Sequence, residues 1–349
     1  MAKERNYLFD NLKAILIFCV VWAHFLRAGG FLGVGSLSRV IYVICFTFMM
    51  EGFFFTSGFF SKNVDKCRAK AVETLAIPYF VFIPLLYLER LMLFGGAHIN
   101  FLRPSHAMWF LIAMFFYRFG IKTFAKIPYI LPISAALCLG AGMVPFLGPT
   151  LALGRSCSFL VFFMLGYFCQ WEHIHKIRSF PKPAMAALGA VLIALMAVFA
   201  CQRVGTGILM MKNDYHQIGW TNVEGLLGRL AVGIVALACI AVLLNLLPDR
   251  KLPGKGGLIS QIGQNTMTVF LLHIFVRYLV KWCTKQDYGI FTNGGVLYCL
   301  AALILALICV YLFSRPIVAK AFDTVMHALY WPFGKTYAFL KSRIVKSRD

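Results

Sequence analysis

The chain is expected to fold as an all-α, polytopic integral membrane bundle of about ten transmembrane helices. Three observations predict this. Of its 349 residues, 60% are hydrophobic and only 13% charged, against roughly 45–50% and 25% in an average soluble domain. The apolar residues gather in runs near the roughly 17–25 residues a bilayer requires of a helix. The 34 Lys and Arg against 13 Asp and Glu, a net charge of +21, cluster between alternate runs. That is the mark of membrane topology, because cytoplasmic loops accumulate Lys and Arg. A nucleic-acid partner is therefore not expected.

Ten segments qualify: 14–33, 38–60, 74–94, 107–121, 128–147, 154–171, 184–203, 225–247, 258–281 and 295–314. The fourth is short and the ninth polar for a span. The first has no clear A-x-A cleavage site and is expected to stay as a helix. With the N-terminus inside, 23 of the 34 basic residues fall on inner segments. An even helix count then puts both termini in the cytoplasm, in a multi-pass protein of the cell inner (cytoplasmic) membrane. Residues 1–314 read as one transmembrane domain. The tail, 315–349, is basic and carries Phe322, Met326, Leu329, Tyr330, Phe333 and Tyr337 at three-to-four spacing, interrupted by Pro332. Such an element suits the anionic inner leaflet. The 11 cysteines, among them Cys19, Cys45 and Cys239, sit mostly in apolar runs without a metal-type CxxC, so they read as small core hydrophobes.

Ionisable side chains inside spans are costly and mark function. The first span opens Asp10-Asn11-Leu12-Lys13 and carries His24. Eleven residues separate Lys13 from His24, about 20° past three full turns, so they share a face roughly 16 Å apart. Glu51, in the second span, lies nine residues from that span's inner end, as His24 does in its own. Both should sit about 13 Å deep. Consecutive helices are usually neighbours, so His24 and Glu51 are expected to form a catalytic pair, the acid orienting the imidazole. The outer half holds Glu89, Arg90, Arg103, His106, Arg155, Glu224, Arg229, His273 and Arg277, a lining for a polar acceptor. The first inner loop, with Lys62, Lys66, Arg68 and Lys70, suits a phosphate-rich cytosolic ligand. His173 and His175 are two apart on a helix, on different faces, and no metal site is expected.

Five segments in order resemble the membrane-bound acyltransferase family 3, and within it the fucose 4-O-acetylase-type proteins, over nearly the whole chain. They are Asp10-Asn11-Leu12-Lys13 with His24; Glu51-Gly52-Phe53-Phe54-Phe55-Thr56-Ser57-Gly58-Phe59; Trp109-Phe110-Leu111; Arg155 with Phe162-Phe163-Met164-Leu165-Gly166-Tyr167; and Gly263-Gln264-Asn265-Thr266 through His273. The resemblance implies transfer of an acyl group, usually acetyl from acetyl-CoA, to a hydroxyl of a carbohydrate acceptor such as a cell-surface or exopolysaccharide sugar. His24 stands where it implies the catalytic residue, and Lys13 where it implies a basic partner. The family's Arg-x-x-Arg pair is absent from the first inner loop. Lys66, Arg68 and Lys70 stand there instead, as candidates with Lys13 for the CoA phosphates. Trp109, Asn265 and Ser57 are candidate donors to the developing oxyanion. Arg155, with Trp109, Asn265 and His273, is expected to hold the acceptor. The competing reading is a membrane transporter or flippase of a polar or lipid-linked sugar, which would also show midplane charges and Gly-broken spans.

Overall fold

The computed structural model describes residues 6–104, 107–148, 150–253, 257–285 and 295–346, with side chains to residue 332. His106 and Lys255 lie outside the described residues, as do the tail side chains beyond Pro332. Fourteen helices are described: α1 Tyr7–Ala28, α2 Leu37–Phe59, α3 Val64–Ala71, α4 Ile77–Phe94, α5 Met108–Phe124, α6 Ile130–Gly140, α7 Leu153–Phe168, α8 Trp171–Arg178, α9 Lys182–Cys201, α10 Asn222–Leu246, α11 Leu258–Gln264, α12 Thr266–Lys285, α13 Val296–Phe313 and α14 Pro316–Lys346. The described residues contain no strand.

Eight helices are long and apolar enough to cross a membrane: α1, α2, the continuous Val64–Phe94 unit, α7, α9, α10, α12 and α13. Two expected spans come out short. α5 has 17 residues and α6 only 11, followed by 3-10 turns at 141–143 and 145–147. The expected span 258–281 breaks in two at Asn265. Its side chain donates to the Ser314 carbonyl at 2.7 Å, pinning the break to the end of α13.

Local chemistry sets the helix ends. Asn6, Ser36 and Asn63 accept from backbone amides three residues on, capping α1, α2 and α3. A side-chain acceptor there satisfies one of the orphan N–H groups of a first turn. α1 starts seven residues before the expected span because its polar opening is covered, not hydrated. Asn11, wholly buried, donates to the carbonyls of Pro248 and Arg250 and accepts from Ser260. α11 lies so close that a Cβ on Gly263 would collide with the Asp10 carbonyl. Between α3 and α4 the chain makes one π turn, Val72–Ala76, just before Pro78, which has no N–H to donate.

The core packs α1 at the centre against α2, α11, α12 and α13, with α7 against the other side of α2. The α2–α7 seam is backbone on backbone: a Cβ on Gly58 would strike the Phe163 carbonyl, and one on Gly166 the Phe55 carbonyl. Small residues at such a crossing let helices approach closely in a bilayer. All 11 cysteines are free thiols. In the tail, α14 continues through Pro332, and its first half packs on α4 and on the π turn before it, with Phe322 against Phe82 of α4 and His327 on Glu73 of the turn at 3.0 Å.

Candidate functional site

α1 lines two cavities from one face, as the Lys13–His24 spacing requires. At the end of the bundle holding the N-terminus, Lys13, Thr56, Ser57, Phe110, Arg118 and Phe270 border a near cavity of about 300 Å³. At the opposite end, His24, Arg27, Trp109, Arg155 and Arg277 border a far cavity of about 570 Å³. Aromatic rings stand between them. Phe110 of the near cavity packs on Phe270 at 5.1 Å between centroids, and its chain neighbour Trp109 lines the far one. Phe270 in turn lies 6.1 Å from the His273 ring.

His24 meets a histidine, not the expected acid. Its Nδ1 is 2.8 Å from Nε2 of the fully buried His273, and the two ring planes lie 12° from parallel. His273 Nδ1 lies 3.0 Å from the Val269 carbonyl. That carbonyl can only accept, so Nδ1 of His273 carries its proton and Nε2 is the acceptor. His24 Nδ1–H therefore donates to His273, so in a neutral His24 ring Nε2 is the nitrogen without a proton. The second nitrogen's hydrogen bond fixes which nitrogen is basic.

Glu51 is fully buried, and neither carboxylate oxygen has a hydrogen-bond partner among the described residues. It lies within electrostatic range of Cys138 of α6 and Cys239 of α10. Gly52, the next residue, is the one facing Leu16 of α1. The expected pairing with His24 fails by azimuth: equal depth on neighbouring helices leaves the facing direction open, and one residue of register is about 100°.

Of the residues expected to hold acceptor, Arg155 and Trp109 do come together: the guanidinium carbon sits 4.4 Å from the indole centroid. His273 joins the site through His24. Asn265 does not, being tied to Ser314 near the other end. Of those expected for phosphates, Lys13 lines the near cavity and pairs with Asp10 at 2.9 Å. Lys66 and Lys70 are exposed on α3, Arg68 lies against Phe119, and none of the three lines that cavity. Arg118 does, and it donates to Ser57 Oγ at 3.1 Å. Other buried cations are structural: Arg39 donates to the carbonyls of Ala200 and Gln202, and Arg229 to those of Cys138 and Asn213. Glu224 closes the capping box of α10 with Thr221.

The site contains members that sequence reasoning left unassigned. Arg27, three residues after His24 on the same face, donates to Tyr42 Oη at 2.8 Å and reaches Met210 Sδ at 3.1 Å. Lys212 enters from the segment between α9 and α10. Loss of solvent at the cavity mouth, then the charges of Arg155 and Arg27, hold its amine below the usual lysine value.

A bundle with eight helices of membrane-spanning length, holding one cation-bordered cavity at the His24–His273 pair and a second at Lys13 and Arg118, defines the class: a polytopic membrane protein. The family model described as acyltransferase domain matches residues 6–315, and the chain belongs to that family, acyltransferase 3. It is a multi-pass membrane acyltransferase. Searches of curated proteins and of solved structures each return no match.

Proposed function

We propose that the chain moves an acetyl group from acetyl-CoA to a hydroxyl of a carbohydrate acceptor, such as a cell-surface or exopolysaccharide sugar. The observation that carries this reading is the His24–His273 pair, which leaves His24 Nε2 basic at the border of the far cavity. Acetyl-CoA enters from the cytoplasmic side through the near cavity, with Lys13 and Arg118 against its phosphates. This puts both termini in the cytoplasm and the protein in the inner membrane. The acyl arm passes the Phe110–Phe270 layer toward His24.

In the step itself, the acceptor hydroxyl oxygen attacks the thioester carbonyl as His24 Nε2 takes its proton. The carbonyl C–O bond forms, the C–S bond breaks, and His24 returns the proton to the leaving CoA thiolate. His24 Nδ1–H stays bonded to His273 throughout, so the imidazolium is stabilised without movement. Arg155, its guanidinium carbon 4.4 Å from the Trp109 indole centroid, holds the acceptor. His273 thus takes the orienting part expected of Glu51.

The test supplies acetyl-CoA labelled in the acetyl group to purified protein in nanodiscs with candidate sugars. CoA thiol release matched by labelled ester is the expected result, with Lys13→Gln and Arg118→Gln raising KM for acetyl-CoA. Sugar binding or translocation with no thioester consumption would favour the transporter reading. Label retained on the protein when acceptor is withheld would replace the base mechanism with an acyl-histidine intermediate.

A further inference from the structure

The far cavity is more strongly charged than a neutral sugar requires. Five cations border it, Arg27, Arg103, Arg155, Lys212 and Arg277, and no carboxylate does so among the described residues. All five belong to the minority of basic residues that membrane topology does not explain, since they fall outside the inner segments. Gathering like charges costs free energy unless an anion neutralises them. Two of them have donors without partners: Arg277, only 9% exposed, leaves Nη1 unpaired, and Arg155 leaves Nε unpaired. A buried guanidinium with an idle donor is a ready half of a charge-assisted, bidentate contact to phosphate.

A second feature adjoins it. An apolar groove of about 390 Å³ lies between α2, α9 and α10, bordered by Val43, Leu195, Phe199, Leu209, Trp220 and Ala231. It belongs to the same end of the bundle as the far cavity, and chain neighbours divide between the two. Leu209 faces the groove while its neighbour Met210 faces the cavity, and on α2 Val43 and Thr47 face the groove while Phe46 faces the cavity. Gly228 leaves α10 bare where a Cβ would collide with the Trp220 ring, so the indole lies close against the helix and forms one wall of the groove. Leu195 and Leu227, both more than half exposed, open it to the hydrocarbon. An apolar slot beside a cluster of unneutralised cations fits a molecule with a hydrocarbon chain attached to a phosphate.

We propose that the acceptor is an anionic amphiphile, a glycan joined through phosphate to a long hydrocarbon chain. Arg155, Arg277, Arg27 and Lys212 hold the phosphate, and the groove beside Trp220 holds the chain. This rests on the acyl-transfer reading for the word acceptor, and on the cavity and groove alone for the ligand. The sugar extends from the phosphate into the cavity, where its hydroxyl meets His24. Free water-soluble sugars make neither contact and are poor substrates.

The experiment measures equilibrium binding of a labelled long-chain polyprenyl phosphate to the full chain in nanodiscs. Competition uses the matching polyprenol, inorganic phosphate and CoA. Polyprenyl phosphate should displace the label, while polyprenol and inorganic phosphate should be weaker by about tenfold or more, and CoA should not displace it. Arg277→Gln removes the idle donor, and Ala231→Trp fills the groove from its lipid-exposed side, where a larger side chain meets no core. Each should weaken binding about tenfold with an unchanged melting temperature. Equal binding of polyprenol, displacement by CoA, or indifference to both variants would overturn the proposal. Polyprenyl phosphate binding, with no CoA thiol released from acetyl-CoA when glycans linked to polyprenyl phosphate are supplied, would refute acyl transfer to such acceptors and leave the ligand assignment standing. Ester formation on free sugar with no affinity for the lipid phosphate would do the reverse.

Discussion

Replacing His273 with Phe isolates what the histidine pair contributes. The ring volumes are similar, so the buried position stays filled, and the Val269 carbonyl loses a side-chain partner while remaining in the helix. What disappears is the acceptor 2.8 Å from His24 Nδ1. In the resting ring this bond selects the tautomer with a basic Nε2. In the transition state it is a hydrogen bond to a cationic donor, worth about 1.5–3 kcal/mol. At about 1.4 kcal/mol per factor of ten, kcat should fall by about tenfold to 150-fold. KM for acetyl-CoA should hold, because Lys13 and Arg118 border the other cavity. The assay is steady-state CoA thiol release by purified, monodisperse variants. His273→Gln, whose amide oxygen can still accept from Nδ1, should recover kcat to within about tenfold of wild type. A folded His273→Phe protein with wild-type kcat would refute the positioning argument, since only a bystander could be deleted at no cost.

Three further outcomes follow from separate parts of the molecule. Glu51→Gln should leave kcat and its pH profile close to wild type and should not lower the melting temperature. It removes a buried carboxylate that has no hydrogen-bond partner among the described residues, and measured kcat over a pH series checks it. Gly166→Val should destabilise by about 3 kcal/mol or more, read as a lowered thermal midpoint in detergent, because the branched side chain meets backbone across the α2–α7 seam. Anion affinity in the far cavity should decline with rising pH below the ordinary lysine value, because Lys212 loses its proton early. Stability has the opposite sign: the unfolded amine binds protons where the folded one has lost them, so this group adds stability as pH rises toward its unfolded value. Lys212→Arg should abolish that alkaline loss of binding, followed by titrating phosphate affinity against pH.

The all-helical membrane class was legible because it rests on composition and run length, which need no tertiary information. The shared face of Lys13 and His24 was legible because helical rotation is local, and both residues do line cavities. The partner of His24 was not. Sequence arithmetic supplied depth but not azimuth, and the true partner is 249 residues away on a helix whose packing against α1 is set by tertiary contact. Asn265 misled for a related reason. A polar residue in an apolar stretch can serve a ligand or tie off a helix break, and only the position of Ser314 decides between them. Gly58 and Gly166 carry two of the family-like segments, and here they serve helix contact. Arg27 was within reach of sequence reasoning, three residues beyond His24 on one face. Lys212 carried no periodic signal, since it sits outside any helix.

The most direct measurement is a single-turnover reaction in nanodiscs, with acyl-labelled acetyl-CoA, an acceptor glycan, and either wild-type protein or His24→Gln. Wild type should pass label to the acceptor with one CoA thiol released per ester. His24→Gln should bind acetyl-CoA with unchanged affinity and form ester slower by about a hundredfold to ten-thousandfold, the usual contribution of a general base. Ester formation at the wild-type rate by folded His24→Gln protein would contradict the assignment of His24 as the base.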